Sequence, residues 1–226
     1  MMRQFKIIIF DFDGTLINSM PVKYENFSST LTKEIMNSDS RYEDSFNLKI
    51  IVKEKYIELS GMPRKRIFGE ILNYLKIPLT QVNYEKFNSN LSELNQKTID
   101  NNSIFPDAMN ILNYCNEKNL PVFISSSVPQ KELTYLAGTI LDKYEIKEIM
   151  GSDQGFSKGK DHIQYLIGKY HYTKKDILFV GDNNSDYVLG TDAGVFTLVV
   201  DREGKADGFC ENCIIKNLNE IKSLVA

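Results

Sequence analysis

The feature that most constrains this chain is a nearly unbroken apolar run, Phe5 to Phe10 (FKIIIF), that stops abruptly at Asp11-Phe12-Asp13-Gly14-Thr15-Leu16. Continuous apolar, β-branched character without alternation suits a strand buried on both faces, the situation of a parallel sheet covered by helices. Such a strand needs parallel neighbours, and parallel neighbours need crossover connections from elsewhere in the chain.

From Ile104 onward the sequence supplies both. Pro106 and Asp107 open a helical pattern carrying Ala108, Ile111, Leu112 and Cys115, followed by a strand at Val122–Ile124 and a helix beginning near Pro129. A short strand around Ile149 and Met150, a helix with Ile163, Leu166 and Ile167, and strands at Ile177–Val180 and Phe196–Val200 complete the series. Strands separated by helices imply an α/β fold with a parallel sheet and helices on both faces. Residues 18–103 read differently. Phe27, Leu31 and Ile35, then Ile67, Ile71, Leu72 and Leu75, then Tyr84, Phe87, Leu91 and Leu94 recur at helical spacing, and Pro63 suits the first turn of the middle helix. The expectation is a core domain built from 1–17 and 104–226, interrupted once by an all-helical domain at 18–103.

Composition narrows the function classes. A formal net charge of −3 gives no global field for nucleic acid or an anionic membrane, and no run is long enough to span a bilayer. The cytoplasm is the default compartment, since Asp11 and Asp13 interrupt any signal-like run at the N-terminus. Two His and three Cys leave little material for zinc. Cys210 and Cys213 form a lone C-x-x-C without a second pair, and read as packing cysteines.

Open parallel sheets bind ligands beyond the carboxyl ends of their strands. Three strands end in reactive residues: the first in Asp11 and Asp13, the next in Ser125-Ser126-Ser127, and Ile177–Val180 in Gly181-Asp182-Asn183-Asn184-Ser185-Asp186. Each piece alone is ordinary turn chemistry. If the strands are neighbours, the three ends gather carboxylates and hydroxyls on one rim. Clustered carboxylates repel one another unless a cation sits among them, and an oxygen-only set favours Mg²⁺, an ion suited to phosphate chemistry.

DFDGTL at 11–16, the serine after VFI, a lysine in SKGK at 157–160 and GDNNSD at 181–186 resemble the four motifs of the haloacid dehalogenase superfamily of phosphohydrolases. The helical stretch resembles the cap of its phosphoglycolate-phosphatase and β-phosphoglucomutase-like subgroup. Only roughly 30 residues separate the second and third motifs, too few for the alternative cap placed there by other members. The resemblance implies a Rossmann-like three-layer core with an inserted helical cap, and these roles. Asp11 is the nucleophile that forms an aspartyl-phosphate, and Asp13 the general acid and then base. Asp11, Asp182 and the Asp13 carbonyl hold Mg²⁺, with Asp186 nearby, either behind these ligands or orienting the lysine. Ser126 and the Ser127 N–H bind phosphate oxygens, with Ser125 as the rival hydroxyl. Lys158 pairs with the phosphate, with Lys160 as its rival.

The resemblance further implies that an acid at position 13 argues against dehalogenation, and that Gly181-Asp182, with a second acid at 186, argues for hydrolysis over transfer. The expected activity is hydrolysis of a small phosphorylated metabolite. A sugar-phosphate phosphomutase and a non-catalytic phosphate-binding protein are the alternatives. Specificity is expected from the cap, where Arg64, Lys65 and Arg66 read as a solvated helix face and Tyr24, Phe27, Tyr56 and Phe68 as core.

Overall fold

The computed structural model describes residues 4–42, 44–202, 204 and 210–225. Among these, the strands β1 (Ile7–Phe10), β2 (Val122–Pro129), β3 (Ile146–Ser152), β4 (Ile177–Gly181), β5 (Phe196–Val200) and β6 (Ile214–Ile215) form one sheet in the order β3-β2-β1-β4-β5-β6. Every pairing is parallel. The chain runs outward from β1 to β3 on one side, then returns to build β4 to β6 on the other. The crevice beyond β1 and β4 is therefore the switch point at which doubly wound sheets bind ligands.

The helical stretch α1 (Met20–Ser38), α2 (Ser45–Glu58), α3 (Arg64–Tyr74) and α4 (Tyr84–Thr98) is inserted between β1 and β2. Helices α5 (Pro106–Glu117), α6 (Gln130–Ile140), α7 (Lys160–Tyr170) and α8 (Asn184–Ala193) follow in alternation with the later strands. The chain divides into two compact units, one comprising the chain through residue 18 and from 101 onward, the other Ser19–Asp100. Among the described residues no helix is long and apolar enough to cross a membrane.

In the sheet unit, Ile7 and Ile9 pack with Phe123, Ile177 and Phe179 against Ile163 and Leu166 of α7. Ile8 and Phe10 point to the opposite face and are buried as completely. That burial on both faces is why the run lacks alternation. The helical unit has its own core of Phe27, Leu31, Ile35, Leu48, Val52, Ile67, Phe68, Ile71, Leu72, Phe87 and Leu91. Phe27 stacks on Tyr56 at 4.1 Å between centroids, and Tyr24 meets Tyr56 edge-on. The aromatic residues thus serve packing within this unit. Arg64 donates to Asn88 and Ser92 on α4, and Arg66 lies 3.9 Å from Glu70.

The structure departs from the sequence pattern in several places. Helix α2 escapes notice because Leu48 and Val52 are buried while Phe46, Ile50 and Ile57 are exposed, which blurs the apolar stripe. Helix α8 buries Asp186, Gly190 and Ala193 rather than large apolar side chains, so it carries no helical signature. Strand β6 is two residues long and equally silent. Pro63 caps α3 instead of sitting inside its first turn. Strand β2 runs on past Ile124 through the three serines, pairing Ser125 with Met150 and, after a register shift, Pro129 with Ser152.

Candidate active site

Phe10 pairs with Ile124 of β2 and Val180 of β4, so residues 11, 125 and 181 follow side by side. The Asp11 N–H donates to the Val180 carbonyl at 2.8 Å, extending the ladder one residue beyond β1. The chain then turns at once. Gly14 takes φ +81°, and its N–H donates to the Ile17 carbonyl at 2.8 Å. A Cβ at Gly14 would lie 2.2 Å from Asp182 Oδ2. Only glycine permits this turn to lie so close to the carboxylate that follows β4.

The β4–α8 connection is equally tight. Asn183 caps α8, its Oδ1 accepting from the Asp186 N–H at 3.2 Å and the Ser185 hydroxyl at 2.7 Å. Asp186, in the first helical turn, accepts in return from the Asp182 N–H at 3.1 Å. A Cβ at Gly181 would fall 2.3 Å from Asp186, so this return needs glycine there as well. Asp186 is thereby pinned with no exposed surface.

Lys158 enters from the residue before Gly159, which takes φ +95° and caps α7. Its Nζ lies 2.5 Å from Asp11 Oδ1 and also pairs with Asp186 Oδ1. Lys160 is exposed at the first position of α7. The Thr15 hydroxyl donates to Asp11 Oδ2 at 3.3 Å. Carboxylate oxygens of Asp11, Asp182 and Asp186 all lie within 4.8 Å of one another.

With all three carboxylates ionised, the single Lys158 ammonium cannot balance them in a desolvated pocket of the sheet rim. The acids respond accordingly. Burial, opposed by Lys158 and reinforced by Asp186 and Asp13, pushes Asp11 up from 3.8 to about 7. Burial and the nearby Asp11 and Asp186 charges raise Asp182 well above the ordinary carboxylate range. Burial works against the Lys158 charge, yet Asp11 and Asp186 outweigh it and hold the ammonium protonated. An all-oxygen set with an excess of negative charge fits a hard divalent cation. Asp13 adjoins the cluster closely enough to raise Asp11, and it bridges to Ile17 across the turn.

The serines part company. Ser125 Oγ lies 2.8 Å from His162 Nδ1, and His162 Nε2 lies 3.1 Å from the Gly151 carbonyl. A carbonyl can only accept, so Nε2 carries the proton and Ser125 donates to Nδ1. Ser125 is thus committed to α7. Ser126 Oγ accepts from the Val128 N–H at 3.2 Å and keeps its own proton to offer elsewhere. Ser127 is half-buried beside it. The sequence pattern assigns no role to Thr15 or His162. Thr15 lies inside DFDGTL, and His162 is one of only two histidines, a rarity that could have marked it. Cys210 and Cys213 lie apart from this cluster of residues in sequence, joined by a Cys213 N–H to Cys210 carbonyl bond of 2.8 Å around a 3-10 turn.

A family model described as "Haloacid dehalogenase-like hydrolase" matches residues 8–200. A phosphoglycolate phosphatase of Haemophilus influenzae is 25% identical over 199 residues, covering 84% of this chain and 83% of the relative. A yeast protein of Saccharomyces cerevisiae, named a probable pseudouridine-5'-phosphatase, is 24% identical over 157 residues, covering 69% and 60%. Among solved structures, CbbY from Rhodobacter sphaeroides in complex with phosphate superposes with a TM-score of 0.75 at 11% identity, covering 96% of each chain. That likeness is one of fold.

Proposed function

The chain belongs to the haloacid dehalogenase-like hydrolase family, in its phosphoglycolate-phosphatase-like subgroup with a helical insertion after β1, and is a phosphatase of that family; from this premise we propose that it hydrolyses a small phosphate monoester through an aspartyl-phosphate on Asp11, with Mg²⁺ as its ion. The observation that carries the reading is the setting of Asp11. Its carboxylate stands at the end of β1, paired with a buried lysine and crowded by two further carboxylates.

Asp11 attacks phosphorus from the side opposite the leaving oxygen, forming the acyl-phosphate while the phosphorus–oxygen ester bond breaks. Asp13 gives its proton to the departing alkoxide, which leaves as the alcohol. Asp13, now ionised, takes a proton from a water that attacks the phosphoryl group, and Asp11 and inorganic phosphate are released. Lys158 pairs with Asp11 and a phosphate oxygen, and Ser126 Oγ with the Ser127 N–H holds the remaining oxygens. Asp11, Asp182 and the Asp13 carbonyl would hold the divalent cation, whose charge offsets that of the transferring phosphoryl group. Asp186 keeps Lys158 and the β4–α8 turn in register.

Phosphate release from a panel of phosphorylated metabolites and an aryl phosphate, with and without Mg²⁺, tests this. The expected result is turnover that chelation abolishes and that Asp11→Asn lowers by about 10⁴-fold or more, as removal of a nucleophile does. Turnover retained by that variant would sink the covalent route. An isomerised ester in place of free phosphate would identify a mutase, and ion binding without turnover of any ester would identify a binding protein.

A further inference from the structure

Arg202 lies just past the carboxyl end of β5, two strands away from β1, yet its guanidinium reaches the turn that carries the reactive acids. Nη1 donates to the Gly14 carbonyl at 2.8 Å, and Nη2 donates to the Thr15 carbonyl at 2.9 Å. Nη2 also meets both carboxylate oxygens of Asp107 at 3.0 Å, and the guanidinium carbon lies 3.8 Å from the centroid of the Phe105 ring. Asp107 is itself held, accepting the Leu218 N–H at 2.9 Å. The arginine is therefore fixed from behind, by a carboxylate and a ring, before it grips the turn.

Two consecutive carbonyls gripped by one planar fork define the orientation of both peptides. Those peptides matter. Gly14 leaves no room for a Cβ against Asp182, and the Thr15 hydroxyl reaches Asp11. A rotation of the 14–15 peptides would move Thr15 away from Asp11 and shift Asp13, one residue before. We propose that Arg202 is a positioning residue, which sets the 13–15 turn so that Asp13 and Thr15 face the Asp11 carboxylate. A lysine at 202 would supply the charge but not the fork.

The part of this inference that concerns reaction rate rests on the proposed phosphatase activity; the part that concerns the turn does not. Hydrogen exchange on the ion-free protein tests the turn. In Arg202→Ala and Arg202→Lys, the amides of Gly14, Leu16 and Ile17 should exchange at least about tenfold faster, while the Asp11 amide in the β1–β4 ladder keeps its protection. Steady-state kinetics on an aryl phosphate tests the consequence. Both variants should lose about 10- to 100-fold in kcat with little change in KM, the scale of a small misplacement of reacting groups. Added ethylguanidinium should restore part of kcat in Arg202→Ala. Unchanged exchange across 14–17 would overturn the proposal, as would an Arg202→Lys variant with wild-type kcat, or a rate loss explained entirely by a smaller folded fraction. If the wild-type protein hydrolyses no ester but the variants still exchange faster, the phosphatase reading falls and the hold on the turn stands.

Discussion

Two buried polar clusters flank the start of α7, and they are built on opposite principles. Lys158 joins Asp11, Asp182 and Asp186 in a group whose charges do not balance. Four residues on, His162 joins Ser125 and the Gly151 carbonyl in a neutral chain with each hydrogen bond made. Desolvation penalises both, but only the second is offset by its own partners. The second holds α7 against β2 and β3; the first carries an excess of negative charge that a cation would offset. A short segment thus separates a cluster that stabilises the fold from one that holds unbalanced charge.

Breaking the charged cluster should have the largest effect. Replacing Lys158 by Met leaves the acids unopposed, and activity toward an aryl phosphate should fall about 100- to 1000-fold. Stability of the ion-free variant should fall by about 3 kcal/mol, because removing one partner of a buried ion pair strands the other. Denaturant titration at neutral pH reads this, and added Mg²⁺ should recover part of the loss. A variant as stable as wild type without an ion would mean that the cluster is not under electrostatic load.

The pH dependence of stability sharpens the contrast, because the clusters carry opposite signs. Asp11, raised from 3.8 to about 7, holds a proton in the folded state that the unfolded chain releases. Its contribution is present at low pH and is lost as pH rises through about 7, and Asp182 leans the same way. Burial, against the Gly151 bond and with help from Lys158, lowers His162 from 6.5 to about 4. Its contribution is present above 6.5 and is lost as pH falls through about 4. In the ion-free protein the two slopes oppose one another. His162→Gln, which can keep both hydrogen bonds, should make stability fall more steeply between about pH 4 and 7 than in wild type, and Asp11→Asn should make it fall less steeply, since the raised Asp182 remains. Each change should amount to a few kcal/mol, since holding or releasing one proton more than the unfolded chain is worth about 1.4 kcal/mol for every pH unit crossed. A His162→Gln slope no steeper than that of wild type, or an Asp11→Asn slope no shallower, would refute the contrast.

The smallest effect should come from Ser125→Ala. It leaves His162 Nδ1 without its donor and should cost about 1–2 kcal/mol in stability. Turnover should stay within about threefold of wild type, since Ser125 is committed to α7 and not to the rim. A loss of kcat comparable to that of Ser126→Ala would reverse the distinction between the two serines.

Much of the sheet was legible because burial on both faces leaves an unmistakable mark: FKIIIF, VFI and ILFV are short, apolar and closed by polar residues. The helices of the insertion that bury a regular stripe were legible for a related reason. Helix α2 was not, since its exposed apolar residues obscure the period, and α8 was not, since small and acidic residues face its core. The serines at 125–127 read as a loop but lie in β2, because pairing with β3 can be continued by residues of no strong strand preference.

The sequence by itself determined which chemistry is available. The order and spacing of Asp11, Asp13, the serines, the lysines and Asp182 to Asp186 depend on local turn geometry and the strand ends they follow, and both are written into short stretches of chain. Only the tertiary structure decided what each of two neighbours touches. Ser125 turns to His162 while Ser126 does not, and Lys158 is buried on Asp11 while Lys160 is exposed. Arg202 reaches a carbonyl 188 residues away in sequence, a long-range contact of the kind that only closing the sheet can supply. Side-chain direction and long-range contact are settled by packing, and packing depends on all the elements at once.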